Sequence, residues 1–300
     1  MLKLTQREKA HLPSIAANAK INLGLEILGR RPDGFHEVRT LLARVELHDT
    51  LTLRSSAEVG VRWPAGVLAP PNDLVRRAAT LLRAETGVSQ GARITLQKAI
   101  PMAGGLGGGS ADAAATLFAL NVLWGTGLST AELARLGASL GADVPFFFAH
   151  GPSIASGRGD DLVEIGDLPP SWIVLVAPEW EIQAKTAALY AALTPDDFTD
   201  GAQIQAIAQC VRGTTPLSQE LTNAFERVID RVFPSWSAMR AQLENQTGRR
   251  FWLTGAGPCV YTLLPSEEAA NAVATAIQPL RLPIFTTRLV NGALRLIDDS

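Results

Sequence analysis

Residues 101–117 read PMAGGLGGGSADAAATL. Five of the six residues from Gly104 to Gly109 are glycine, and an alanine-rich run of helical composition opens at Ser110. Glycine loses more backbone freedom on folding than any other residue, so a run of it before a helix needs a reason. An anion supplies one. Side chains hold a polyphosphate away from backbone N–H groups, and glycine removes them. The first turn of the following helix then presents unpaired N–H groups and the positive end of its dipole to the same place. Ser110 is expected to cap that helix, or to offer its hydroxyl to a bound phosphate or Mg²⁺. The competing reading is a flexible linker, which does not usually run from a strand straight into a capped helix.

Two familiar phosphate loops do not fit. A Walker A loop has Gly, four residues, Gly, then Lys and Ser or Thr. Gly104 and Gly109 have that spacing, but Ser110 stands where lysine is required. A dinucleotide fingerprint needs Gly-x-Gly-x-x-Gly. Gly105 and Gly107 begin one, and Ser110 ends it wrongly.

Working outward, residues 93–98, RITLQK, alternate with Ile94 and Leu96 inward, as a half-buried strand does. Asn72 is expected to cap a helix, NDLVRRAATLLRAETG, that ends at Gly87. Ser129 and Glu132 form a capping box for the helix that stops near Gly141. Towards the N-terminus, Ile21, Leu23, Leu25 and Ile27 alternate with Asn22, Gly24 and Glu26 as a strand. A Pro-Asp-Gly turn follows in GRRPDGFHEV. Residues 41–53 suggest two short strands broken near HDT.

The composition changes at residues 166–170, which suggests two units, 1–166 and 167–300. In the second, SWIVLVAP reads as a buried strand, helical patterns run to about Asn245, and RRFWLTGAGPCVYTLL as two strands joined over glycines. A helix from Ser266 and a strand near residues 283–290 follow. Strands and helices mix without a βαβ rhythm, so the fold class is α+β.

A chain of 300 residues with 47% hydrophobic and 19% charged residues is an ordinary globular protein. A net charge of −2 gives no bulk attraction to nucleic acid or to an anionic membrane. The opening MLKLTQREKAHL is too polar for a signal peptide, and no apolar run is long enough to span a membrane. Two cysteines, Cys210 and Cys259, make no disulfide framework and suit a reducing cytosol, so the chain is expected to be cytoplasmic. Oligomeric state is not legible.

The glycine stretch resembles the phosphate loop of the GHMP kinases, the superfamily of galactokinase, homoserine kinase, mevalonate kinase and phosphomevalonate kinase. Three further stretches narrow the resemblance: AKINLGLEILGRRPDGFHEVRTL, GADVPFFFAHGPSIASGRGD and LTGAGPCVY. In order and spacing they resemble the branch that acts on 4-diphosphocytidyl-2-C-methyl-D-erythritol, over nearly the whole chain. The resemblance implies transfer of the γ-phosphate of ATP, with Mg²⁺, to the 2-hydroxyl of that small molecule, in the non-mevalonate route to isoprenoids. It implies a two-domain GHMP kinase fold, a ribosomal-protein-like N-terminal domain and a ferredoxin-like C-terminal domain. Substrate lies between them.

By the same resemblance Lys20 and Asp143 are the catalytic pair. A carboxylate can take the proton of the attacking hydroxyl, and a cation can stabilise the transferring phosphoryl group. Without the resemblance Lys20 reads as a solvated edge lysine and Asp143 as a loop or cap carboxylate. ATP is expected along Pro101, Met102, Ala103, Gly104, Gly105, Leu106, Gly107, Gly108, Gly109, Ser110 and Ala111, with Asn72 near adenine. Asn22 shares a strand face with Lys20 and is expected to bond the methylerythritol hydroxyls or Asp143. Phe35 and His36 stand where the family has an aromatic–His pair for cytosine. From composition alone they read as a core anchor and a surface histidine. One segment departs from the pattern. In EIQAKTAALY, Ala184 occupies the usual Thr position, and Tyr190 is a candidate for a second aromatic over the base. Gly255 and Gly257 form a second bare-backbone turn near the active centre.

Two competitors remain. Another GHMP kinase would share the glycine loop and act on a different alcohol, such as homoserine or mevalonate. A non-catalytic nucleotide- or RNA-binding protein would not need Lys20, Asp143 and the full loop together.

Overall fold

The computed structural model describes residues 14–180, 184–212 and 221–297, with the side chains of residues 210–212 excepted. The polar opening stretch, part of EIQAKTAALY and the Cys210 side chain therefore lie outside the described residues. Cys259 is free and buried.

The chain begins with two long antiparallel strands, β1 (Ser14–Arg30) and β2 (His36–Ser56), joined by the Pro-Asp-Gly turn. The second corrects the sequence reading of two short strands broken near HDT. β2 continues through His48, Asp49 and Thr50 because the polar groups there are satisfied. Asp49 Oδ1 accepts the backbone N–H of Ala99 and of Ile100, at 2.7 and 2.9 Å. Short β3 (Gly60–Arg62) leads to α1 (Leu74–Thr86), β4 (Gly91–Gln97), α2 (Gly108–Trp124) and α3 (Thr130–Ala138). Ile94 and Leu96 of β4 are buried. Gly87 ends α1 in the left-handed conformation, and the Ser129–Glu132 capping box opens α3. β5 (Ser153–Ser156) and β6 (Asp161–Glu164) form a small hairpin.

The second half holds β7 (Trp172–Val176), α4 (Lys185–Ala192), α5 (Ala202–Arg212), α6 (Trp236–Thr247), β8 (Trp252–Leu253), β9 (Val260–Leu264), α7 (Glu267–Ile277), β10 (Ile284–Val290) and β11 (Leu296–Ile297). β8 and β9 are the two strands expected across the second glycine turn, and Ser266 caps α7 as read from sequence. β11, which pairs with β1, is too short to show a pattern in sequence.

The strands connect in the order β11-β1-β2-β10-β7-β9-β8, with β4 and β5 also pairing with β2. All pairs are antiparallel except β3 with β4. β10 joins the halves, pairing with β7 along its length and with β2 at Leu289–Val45 and Val290–Arg44. One apolar cluster packs α1, α2 and α3 on the first half, and another packs α4, α6 and α7 on the second. A third draws on β1, β2, β7, α5 and β9 together, so the seam between the halves is itself a core. With hydrocarbon burial worth about 25 cal/mol per Å² of apolar surface, this seam resists separation of the halves.

Candidate active site

The site is assembled where β1 passes beneath the glycine loop. The β1–β2 register slips between Asn18 and Lys20 and again between Asn22 and Gly24. Bulges of this kind re-aim side chains, and here they bracket Lys20 and Asn22. Both side chains lie on one face, as alternation requires, and both are buried, at 4% exposure. Lys20 Nζ donates to Asn22 Oδ1 at 2.7 Å and stands 3.6 Å from Asp143 Oδ2. Asn22 Nδ2 donates to Thr40 Oγ1 at 2.8 Å, and Thr40 Oγ1 donates to the Gly24 carbonyl at 2.6 Å. Thr254 and Tyr261 fix the Asn22 backbone from the second half. Asn22 thus orients Lys20. Asp143 follows α3 in a short turn, and its side chain is 39% exposed. The pair therefore joins a rigid buried cation to a carboxylate open to a ligand.

The glycine loop is bare for a further reason. A Cβ added to Gly104 falls 2.5 Å from Cys259 Sγ, to Gly105 2.5 Å from the Thr254 carbonyl, and to Gly107 2.9 Å from Lys20 Cγ. The missing side chains make room for protein at these positions. At Gly109 the nearest atom is Leu74 Cδ1 at 3.6 Å, so a Cβ there would meet the start of α1 only in ordinary contact. Gly255, with φ +54°, presses from the second turn, and its added Cβ lies 3.3 Å from Lys20 Nζ. The two glycine turns pack on each other and on Lys20, and Lys20 N–H donates to the Leu106 carbonyl at 2.9 Å.

Helix α2 starts earlier than the sequence suggests. Gly107, at φ 70°, is its N-cap, with no side-chain cap bond. This corrects the expectation that Ser110 caps the helix. The first backbone bond of the helix is Ala111 N–H to the Gly107 carbonyl. The N–H groups of Gly108, Gly109 and Ser110 are the ones a helix leaves without intrahelical partners, and they face an anion best. Ser110 instead turns its side chain to the cavity that Asp143 lines. The cap of α1 is corrected in the same way. Asp73, not Asn72, accepts the N–H groups of Val75 and Arg76. Asn72 is exposed, and its Oδ1 accepts from Arg77 at 2.8 Å. Of the other loop residues, Pro101 and Gly104 line a second cavity with the exposed Met102 and with Ala103, while Leu106 and Ala111 are buried.

The cavity beside Asp143 measures about 730 Å³ and includes Phe35, His36, Arg158, Thr186 and Tyr190. Phe35 is 56% exposed at the tip of the Pro-Asp-Gly turn, so it is no core anchor. The Arg158 guanidinium lies 5.5 Å from its ring centre. His36 is 8% exposed, so it is no surface histidine, and its ring stacks on Tyr190 with centroids 4.7 Å apart. Its Nε2 is buried without a hydrogen-bond partner. Burial, and then the charge of Arg30, hold the His36 pKa below the ordinary histidine value. The imidazole is therefore neutral at pH 7, with one ring nitrogen left unpaired inside the cavity wall. Burial pushes the Tyr190 hydroxyl up to about 12.

Sequence reasoning missed Thr186. Ala184 is the N-cap of α4 with a left-handed backbone, and Thr186, two residues on, brings a hydroxyl residue to the cavity lining. The signal was available, because Thr186 and Tyr190 are four residues apart and share a helix face.

The fold and the bulged lysine strand under a glycine loop define a class of small-molecule kinase. Models of the GHMP kinases N terminal domain and of the GHMP kinases C terminal match residues 73–151 and 206–280. The 4-diphosphocytidyl-2-C-methyl-D-erythritol kinase of Pelotomaculum thermopropionicum is 41% identical over 93% of this chain and 98% of its own. That of Symbiobacterium thermophilum is 39% identical over 91% of this chain and 98% of its own. A crystal structure of 4-(cytidine 5'-diphospho)-2C-methyl-D-erythritol kinase covers 93% of this chain and 100% of its own, with a TM-score of 0.79 and 32% identity. The chain belongs to the 4-diphosphocytidyl-2-C-methyl-D-erythritol kinase family of the GHMP kinases.

Proposed function

We propose that the chain transfers the γ-phosphate of ATP to the 2-hydroxyl of 4-diphosphocytidyl-2-C-methyl-D-erythritol, a step of the non-mevalonate route to isoprenoid precursors. The observation that carries this reading is the single cavity shared by Asp143, Ser110 and the aromatic group Phe35, His36 and Tyr190. Phosphoryl acceptor chemistry and recognition of a flat base are needed side by side for this substrate.

In this reading ATP lies along residues 101–111, its phosphates on the N–H groups at the start of α2 and its adenine beside Asn72 and Leu74. Asp143 takes the proton of the 2-hydroxyl as the P–O bond forms, help typically worth about 10²–10⁴-fold in rate. Lys20, held by Asn22, stabilises the charge on the transferring phosphoryl group. Cytosine stacks on Phe35 or Tyr190, and the His36 region bonds its polar edge. Asn22, its amide engaged by Lys20 and Thr40, acts here by holding Lys20 and not by meeting the methylerythritol hydroxyls.

Among the described residues no three His, Cys, Asp or Glu side chains come together as a metal cage. Mg²⁺ in a kinase is held mainly through substrate phosphates and one or two protein oxygens. Ser110, with Asp143 in the same cavity, is the oxygen donor available. When bound, the ion supplies neutralisation of phosphate charge.

A division near residue 166 is supported by the two family models, which fall on either side of it. No helix of the described residues is long and apolar enough to cross a membrane. We place the reaction in the cytoplasm, on cysteine usage and the need for ATP.

The test is ADP release with a panel of acceptors: the diphosphocytidyl substrate, homoserine, mevalonate and galactose. The diphosphocytidyl substrate is expected to lead by kcat/KM. A preference for any other acceptor overturns the assignment.

A further inference from the structure

The reaction scheme leaves one cation at the seam of the glycine turns without a role. Lys185 is the first residue of α4, in the segment where the sequence departs from the family pattern. Its Nζ donates to the carbonyls of Ala103 and Gly257, one from each glycine turn. Both residues are left-handed, at φ 57° and 59°. An alanine takes that conformation at a cost, so this carbonyl is turned towards the ammonium against local preference.

The charged and titratable groups facing Lys185 are Lys20 and Cys259. Burial pushes the Cys259 thiol up to about 12, so it carries no counter-charge at neutral pH. Burial pushes the Lys185 ammonium down to about 8; Cys259 opposes this in part, and Lys20 adds the smallest push downward. Two carbonyl dipoles do not neutralise a half-buried ammonium, and a charged group so placed gains most from an anion. Lys20 already has Asp143. No described carboxylate pairs with Lys185. The unbalanced charge stands at the edge of the loop that cradles a polyphosphate.

We infer that Lys185 is a phosphate-binding cation of the ATP site, delivered by α4 across the seam of the two glycine turns to the triphosphate. This rests on the reading of residues 101–111 as the ATP cradle. It also gives the second half of the molecule a direct hold on the nucleotide. With Lys20 it places positive charge on two sides of the phosphate chain.

The test is calorimetric titration of Mg·ATP, without acceptor, into the wild-type protein and into K185M, K185Q and K185R. AMP, measured by displacement, is the comparator. K185M and K185Q are expected to weaken ATP about tenfold or more, K185R to stay within about threefold, and AMP to change less than about twofold in all. Raising the pH from 7 to 9 is expected to weaken wild-type ATP binding up to about tenfold, because a free-state pKa near 8 means that the charge is lost over that range. K185M is expected to lack that slope. Wild-type ATP affinity in K185Q, which keeps a donor for the carbonyls but no charge, overturns the proposal. So does an equal loss of AMP and ATP, which marks a strap with no phosphate contact. K185Q and K185R carry the test if K185M does not fold. A wild-type protein that binds no ATP overturns the cradle reading itself, a different failure.

Discussion

Two lysine–aspartate sites lie near the start of α2, and they are built in opposite ways. Lys98 donates to Asp112 Oδ2 at 2.6 Å and closely to Asp49 Oδ2, and the three side chains are 11%, 1% and 0% exposed. Burial alone lowers the Lys98 pKa, and the two carboxylates outweigh it and hold it above its ordinary value. Burial, eased by Lys98, pushes Asp112 up to about 7. The Lys98 indole neighbour, Trp63, bonds to Asp73 at the cap of α1, so this cluster ties β2, β4, α1 and α2 together. At the other site Lys20 is buried more deeply still, but its aspartate stands 3.6 Å away, is 39% exposed and faces a cavity. A closed cluster spends its charges on itself. A slack pair beside a cavity keeps them for a ligand. What separates the pair proposed for catalysis from the structural one is this slack, not the presence of an ion pair.

The contrast breaks first at Lys98. Lys98→Met leaves two buried carboxylates without their cation, a loss of about 3–5 kcal/mol for buried pairs. The urea midpoint is expected to fall accordingly. A midpoint near wild type would show that the cluster is not closed. Lys20→Met is expected to act more on the rate. Its carboxylate partner can be solvated and only the Asn22 amide oxygen loses a donor, so unfolding free energy should fall by about 1–3 kcal/mol, less than at Lys98, while kcat falls about 10²–10³-fold. A large stability loss with kcat preserved would make Lys20 a second structural lysine. A smaller effect sharpens the picture on the recognition side. Phe35→Ala is expected to raise KM for the diphosphocytidyl substrate about tenfold, since stacking on a base is worth about 1–3 kcal/mol. KM for ATP and kcat at saturation should hold. Equal rises in both KM values would return Phe35 to a structural part.

The same contrast explains what could be read in the sequence. Local signals survived. The alternation of β1, Gly87 after α1, the Ser129–Glu132 box and the hairpin over Gly255 and Gly257 need nothing beyond their neighbours in the chain. Asp49 is hidden because a polar triplet, HDT, resembles a break until Lys98 and two N–H groups from residues 99 and 100 satisfy it. The caps of α1 and α2 were misplaced by one and three residues. In α1 two adjacent residues can both cap. In α2 a left-handed glycine does so without any side-chain signature. Lys20, Asp143, Phe35 and His36 were named through resemblance, since composition alone favours surface or core roles for each. Thr186 and Lys185 are not legible in the sequence, because they lie within the segment that departs from the family pattern. Lys185 has meaning only where residues 82 and 72 positions away meet it.

The central claim is that the slack aspartate performs the chemistry, and it is tested most directly by single-turnover phosphorylation with Asp143→Asn. Asparagine keeps the size and polarity of the side chain and removes the base. With ATP and the diphosphocytidyl substrate both saturating, the rate of product formation is expected to fall at least about 10²-fold, with calorimetric affinities for both ligands near wild type. A rate within a few-fold of wild type would contradict the account and leave the proton to the bound polyphosphate or to water.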